Sequence, residues 1–173
     1  MNTGQSMLAM GAMMLLSFLV LRFNSIQLTS SQASYNAKFG IVATSLANSL
    51  IEEAKDKVFD AFVLDTTKSI TSASDFSPVL GWESGEVYPD FNDFDDYNNL
   101  FYPDTVSLKD PLTGAATRFD IRAKVEYVND ANPDIKAPSG QTYHKKITVS
   151  VSSTAMVDTI RISSVFSYWT LLE

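Results

Sequence analysis

Six oxygen-bearing side chains, Asp90, Asn92, Asp93, Asp95, Asp96 and Asn98, fall within a single short stretch of this 173-residue chain. Calcium takes six to eight oxygen ligands from carboxylates, carbonyls and water, so this run is where metal chemistry would be sought. EF-hand spacing is missing, with no glycine at the sixth position and no distal glutamate. The plainer reading is a solvated acidic loop. Calcium held by Asp90, Asp93, Asp95 and Asp96 is the weaker alternative, and no other cofactor is suggested. His144 is the sole imidazole and stands beside Lys145 and Lys146. A metal or triad role would need partners that the sequence does not place, so His144 reads as an exposed structural residue. There is no G-x-S-x-G elbow and no phosphate-binding glycine loop. Cysteine is absent, which excludes thiolate metal sites and disulfides alike. Catalysis is not expected. The formal charge of −7 and the scattered distribution of 13 basic residues argue against nucleic acid as a partner.

The elements that must position these residues can be read from periodicity. TRFDIRAKVEYV, residues 117–128, alternates strictly, with Phe119, Ile121, Ala123, Val125 and Tyr127 on one side. HKKITVSVSS places Ile147, Val149 and Val151 inward, and TIRISSVFSYW places Ile160, Ile162, Phe166 and Tyr168 on one face. TVSL at 105–108, followed by the turn-like KDPLTGAA, offers a shorter partner. NDANPDIKAPSGQ, residues 129–141, reads as a connecting loop because of its prolines and turn formers. Residues 105–170 are thus expected to form an antiparallel sheet of three or four strands whose apolar face needs a cover. Residues 65–104, rich in proline, glycine and aromatics, are expected to be an irregular loop held down on the domain.

The cover lies upstream. Tyr35, Phe39, Val42, Ala43, Leu46, Ala47, Leu50, Ala54, Val58 and Ala61 recur at the spacing of one helical stripe. Before it, Met1–Leu21 contains no charged residue, and five of the six methionines fall in its first fourteen positions. No proline precedes Pro78, so one helix from residue 2 to about 62, roughly 90 Å long, is expected. Gly40 and the polar run Asn24–Asn36 are its weak points. Residues 1–30 read as an apolar segment for a membrane or for bundling with copies, and 31–173 as a globular head. A helix apolar on every face must be surrounded on every face. Gln5, Met7, Leu8, Met10, Gly11, Met13, Met14, Leu15, Leu16, Phe18, Leu19, Val20 and Leu21 are the candidate contact residues. A secretory signal is disfavoured by the lack of a basic residue before the apolar run.

An all-apolar N-terminal helix that continues as an amphipathic helix over an antiparallel sheet resembles the type IV pilin superfamily, which includes the pseudopilins of type II secretion. The loop YPDFNDFDDYNNLFY also looks like the helix-to-sheet loop of that family, where some members bind calcium. Gln5 stands where the family usually carries glutamate, and Arg22 where many members carry a proline. The resemblance implies a leader cut upstream, with Met1 as the mature first residue, and a cut after Gly4 is the rival. It further implies an α+β fold, a homo-oligomeric helical filament on the cell surface, and residence in the cytoplasmic membrane before assembly. A minor pseudopilin and a monomeric membrane-anchored binding domain outside the cell are the competing readings.

Overall fold

The computed structural model describes residues 2–65, 67–109, 114–138 and 140–171. The chain divides into two compact units, Met1–Phe39 and Gly40–Glu173. Helix α1 runs Thr3–Lys55. Some of its hydroxyls bond back to the preceding turn: Ser17 donates to the Met13 carbonyl at 2.8 Å and Thr29 to that of Ser25 at 3.0 Å. The run Asn24–Asn36 and Gly40, expected as weak points, are helical.

Within the second unit the stripe is buried at Ala43, Ala47, Leu50 and Ala54, and Ile51 beside it is buried as well. The helix stops at Lys55, earlier than the periodicity suggests. Tertiary partners take the next carbonyls: Phe94 N–H donates to the Val58 carbonyl at 2.8 Å, and the Lys145 ammonium to that of Phe59 at 2.7 Å. Phe59, off the expected stripe, is the fully buried residue here, and Val58 is only half-buried. A short second helix, α2 (Ala61–Leu64), then starts at Asp60, whose carboxylate accepts from Phe62 N–H at 3.0 Å.

The sheet has five antiparallel strands: β1 (Phe101–Lys109), β2 (Ala116–Asn129), β3 (Asn132–Lys136), β4 (His144–Ser152) and β5 (Ile160–Ser167). Their order is β1-β2-β4-β5, with β3 also paired to β2. The fold is α+β, a long N-terminal helix packed against this sheet. On its inner face Ile121 stands opposite Val151, Ala123 opposite Val149, and Val125 opposite Ile147, all buried. The next rung pairs Tyr127 with Lys145, and Lys145 in turn faces Phe166 on β5.

Two strands depart from the expected boundaries. β3 lies inside the stretch expected to be a loop: the Asn129 side chain accepts from Ala131 and Asn132 N–H and turns the chain straight back, while Pro133 is tolerated because β3 pairs on one side only. β1 begins at Phe101, inside the expected irregular segment, and carries Pro103 because it is an edge strand. Part of the turn expected in KDPLTGAA, residues 110–113, lies outside the described residues.

Beyond Phe101, the residues preceding β1 continue to satisfy β2. Ala123 N–H donates to the Leu100 carbonyl at 3.0 Å, and Val125 N–H to Asn98 Oδ1 at 3.1 Å. The Asn98 amide meanwhile donates to the Leu80 carbonyl at 3.0 Å, tying two parts of the loop to the sheet. Asn98→Ala strands both groups and should cost about 1–3 kcal/mol, read as a lower urea midpoint with an unchanged slope.

Candidate functional site

The residues singled out by sequence lie in the acidic loop and on the N-terminal helix, and the structure adds a buried polar cluster in which Asp60, Tyr127 and Lys145 join Asp95. The acidic loop is not solvated. Asp93, Asp95 and Asp96 are buried, interleaved with buried Phe91, Phe94 and Tyr97, while Asp90 and Asn92 are exposed. Short-range geometry explains how the loop turns there. Asp93 Oδ1 accepts from Asp95 N–H at 2.9 Å and Asp96 N–H at 3.2 Å, and Asp96 Oδ2 accepts from Asn92 N–H at 2.9 Å and Asp93 N–H at 3.1 Å. Each carboxylate thereby holds the backbone of the other's neighbourhood, and a 3-10 turn forms at Asp95–Tyr97. From that turn Tyr97 donates to Glu53 Oε1 on α1 at 2.8 Å, and Tyr88 reaches Glu53 Oε2 at 3.3 Å.

Beneath this loop lies a fully buried ammonium. Lys145 Nζ pairs with Asp60 Oδ2 at 2.8 Å and with Asp95 Oδ1, both carboxylates being buried as well. Its ammonium also lies 4.6 Å from the Phe59 ring centroid and 5.2 Å from that of Tyr127. Asp60 is saturated from every side: Ser77 N–H donates to Oδ2 at 3.0 Å, and Tyr127 Oη stands 3.2 Å from Oδ2 and 2.8 Å from the Ser77 carbonyl. Burial raises the Asp95 carboxyl, with the Lys145 charge pulling against it. Burial, then the charges of Asp95 and Asp96, push Asp93 up to about 8. The cluster joins the start of α2, the loop and β4 through charge-assisted hydrogen bonds, which is work of fastening.

The sequence signal for Lys145 was present in the alternation itself. Ile147, Val149 and Val151 face inward, so Lys145 shares their side of β4. His144, by the same parity, faces outward and lies 2.8 Å from Asp130 across the turn.

A second acidic group had no sequence signal beyond two glutamates astride a glycine. Carboxylate oxygens of Glu83, Glu86 and Asp96 lie within 4.8 Å of one another. Of the four carboxylates nominated for calcium, Asp96 alone belongs to this trio, while Asp90, Asp93 and Asp95 do not. Partial burial, then the neighbouring Glu86 and Asp96 carboxyls, raise Glu83 to about 7. Glu86 also receives Glu83 N–H at 3.1 Å and contacts the Asn92 amide.

On α1 the large apolar side chains from Met7 to Leu21 are 60–77% exposed, and Gln5 and Gly11 are exposed too. The helix is long and apolar enough to cross a membrane, and its most apolar window buries nothing. Ser17 is the only hydroxyl between Met7 and Leu21, and it is satisfied within the helix, so this surface asks for no outside hydrogen-bond partner.

Comparison of the chain with protein-family models, with curated proteins and with solved structures finds no match.

Proposed function

We propose that the chain is a structural subunit of an extracellular type IV pilus-like filament, in which the apolar start of α1 is surrounded by the same segment of neighbouring copies. The observation that carries this reading is the charge-free surface of Met7–Leu21, exposed on every face of a helix that continues unbroken to Lys55. Water cannot solvate such a surface at low cost: at about 25 cal/mol per Å², each exposed Leu or Met side chain forfeits roughly 1.5–3 kcal/mol by staying wet. Lipid answers the need before assembly, and identical helices answer it afterwards.

A head with its own core would then hang from the bundle. A fragment starting at Gln32 should accordingly stay soluble without detergent and unfold in one cooperative transition, with far-UV and near-UV signals lost together. Aggregation of that fragment would mean the head depends on the removed helix.

The assembly itself is tested by negative-stain electron microscopy of material sheared from the cell surface, with mass spectrometry of the fibres. Fibres composed mainly of this chain support the filament reading. A trace amount of it within fibres of another protein points to a minor subunit. Its confinement to the membrane fraction, with no fibre, points to a monomeric anchored domain.

A further inference from the structure

We propose that Glu83, Glu86 and Asp96 bind a hard divalent cation, and that calcium is the ion that fits. Their oxygens converge within 4.8 Å in a stretch, Ser69 to Leu108, that contains eight acidic residues and no Lys or Arg. Three like charges held this close repel one another, and no basic side chain of the same stretch offsets them.

Asp96 is the buried member of the trio. The residue is fully buried, and its Oδ2 is held by the N–H groups of Asn92 and Asp93. Its Oδ1 is buried with no hydrogen-bond partner. A carboxylate oxygen enclosed without a donor is costly, and a cation shared with the two glutamates removes that cost. Lys145 does not serve here, since its ammonium is engaged by Asp60, Asp95 and the Phe59 carbonyl.

The two glutamates are brought together by their own turn. Glu86 N–H donates to the Glu83 carbonyl at 3.2 Å, Glu83 N–H returns to Glu86 Oε2 at 3.1 Å, and Gly85 takes φ 102° between them. Glu83 is exposed and Glu86 half-buried, so an ion can enter from solvent and keep water ligands on that side.

The donor chemistry selects the ion. All three ligands are carboxylates, which suits hard cations, and zinc sites use the imidazole and thiolate ligands that this cluster lacks. An irregular loop supplying three carboxylates plus water matches the loose six- to eight-oxygen shell of calcium better than the compact octahedron of magnesium. Bound there, the ion would tie the Glu83–Glu86 turn to the Asp95–Tyr97 turn. This site is independent of the filament reading.

Calorimetric titration of calcium chloride into the chelator-stripped, detergent-solubilised full chain should show one saturable site, with Kd on the order of 10⁻⁴–10⁻³ M as in extracellular calcium modules. Glu83→Gln with Glu86→Gln should weaken binding by about tenfold or more. Asp90→Asn, an exposed carboxylate of the same loop outside the trio, should change it by less than about twofold. Terbium emission excited through Trp82, adjacent in sequence to Glu83, gives a readout that needs no variant. It should saturate, and calcium should displace the terbium at concentrations where magnesium does not. No saturable calcium uptake by the native chain, uptake unchanged in the double glutamine variant, or equal displacement by magnesium would each overturn the assignment.

Discussion

Leu16→Asp should abolish filaments while leaving the head folded. Leu16 lies in the middle of the charge-free run and is 62% exposed on the isolated chain. A carboxylate at the centre of an apolar helix costs about 3 kcal/mol on insertion scales. In a filament that cost recurs with every subunit, and 1.4 kcal/mol is a factor of ten, so each addition would be roughly a hundredfold less favourable. Polymerisation multiplies the deficit along the fibre. Leu16→Met, which conserves volume and apolarity, should assemble normally. The measurement is electron microscopy of sheared material at matched expression, with membrane-fraction immunoblotting alongside. Normal fibres from the aspartate variant would remove the N-terminal segment from the filament core and with it the proposed function. Loss of membrane retention, with no fibre in wild-type cells to lose, would instead favour the anchored monomer.

Lys145→Met should be the most damaging single change in the head. Lys145, Asp60 and Asp95 are each no more than 1% exposed, so removing the ammonium leaves two carboxylates buried without their cation. Breaking a buried pair by deleting one partner costs about 3–5 kcal/mol, a large part of a typical domain's stability. Removing the whole constellation is a different experiment. Lys145→Met combined with Asp60→Asn and Asp95→Asn leaves no orphan charge, and the carbonyl of the new amide at 60 can still accept from Phe62 and Ser77 N–H. The triple variant should therefore be more stable than Lys145→Met alone, even though it carries more substitutions. Urea unfolding of the detergent-solubilised chain, followed by near-ultraviolet circular dichroism, measures both. A single variant within about 1 kcal/mol of wild type would show that water reaches the cluster and that the ammonium is dispensable.

Periodicity made the sheet's central strands, the helical stripe and the continuous N-terminal helix legible, because each rests on a pattern that local geometry repeats. The interior polar cluster was legible in half. Parity placed Lys145 beside Ile147 on the inner face, but a lysine beside a histidine and a second lysine reads more readily as surface. Asp93, Asp95 and Asp96 were read as solvated because composition reports average polarity. Their burial depends on backbone donors within the loop and on a lysine fifty residues further along the chain. Alternation with Phe91, Phe94 and Tyr97 was the available hint. The Glu83–Glu86–Asp96 trio could not be read, since Asp96 lies ten positions beyond Glu86 and no period links them. β3 was lost to a sound rule applied in the wrong place: proline and asparagine break central strands, whereas this one pairs along a single side.

The Lys145 clasp also sets an order of events in synthesis. Asp60 precedes Lys145 by 85 residues and Asp95 precedes it by 50. Until β4 has been made, both carboxylates must remain in water, because the cation that permits their burial does not yet exist. The apolar start of α1 is complete before any part of the head has been translated, and it needs shelter at once. The nascent chain thus presents its insoluble segment first and acquires its closing charge late. A ribosome stalled before Lys145 would hold a chain whose apolar helix is already made but whose head cannot complete its fold.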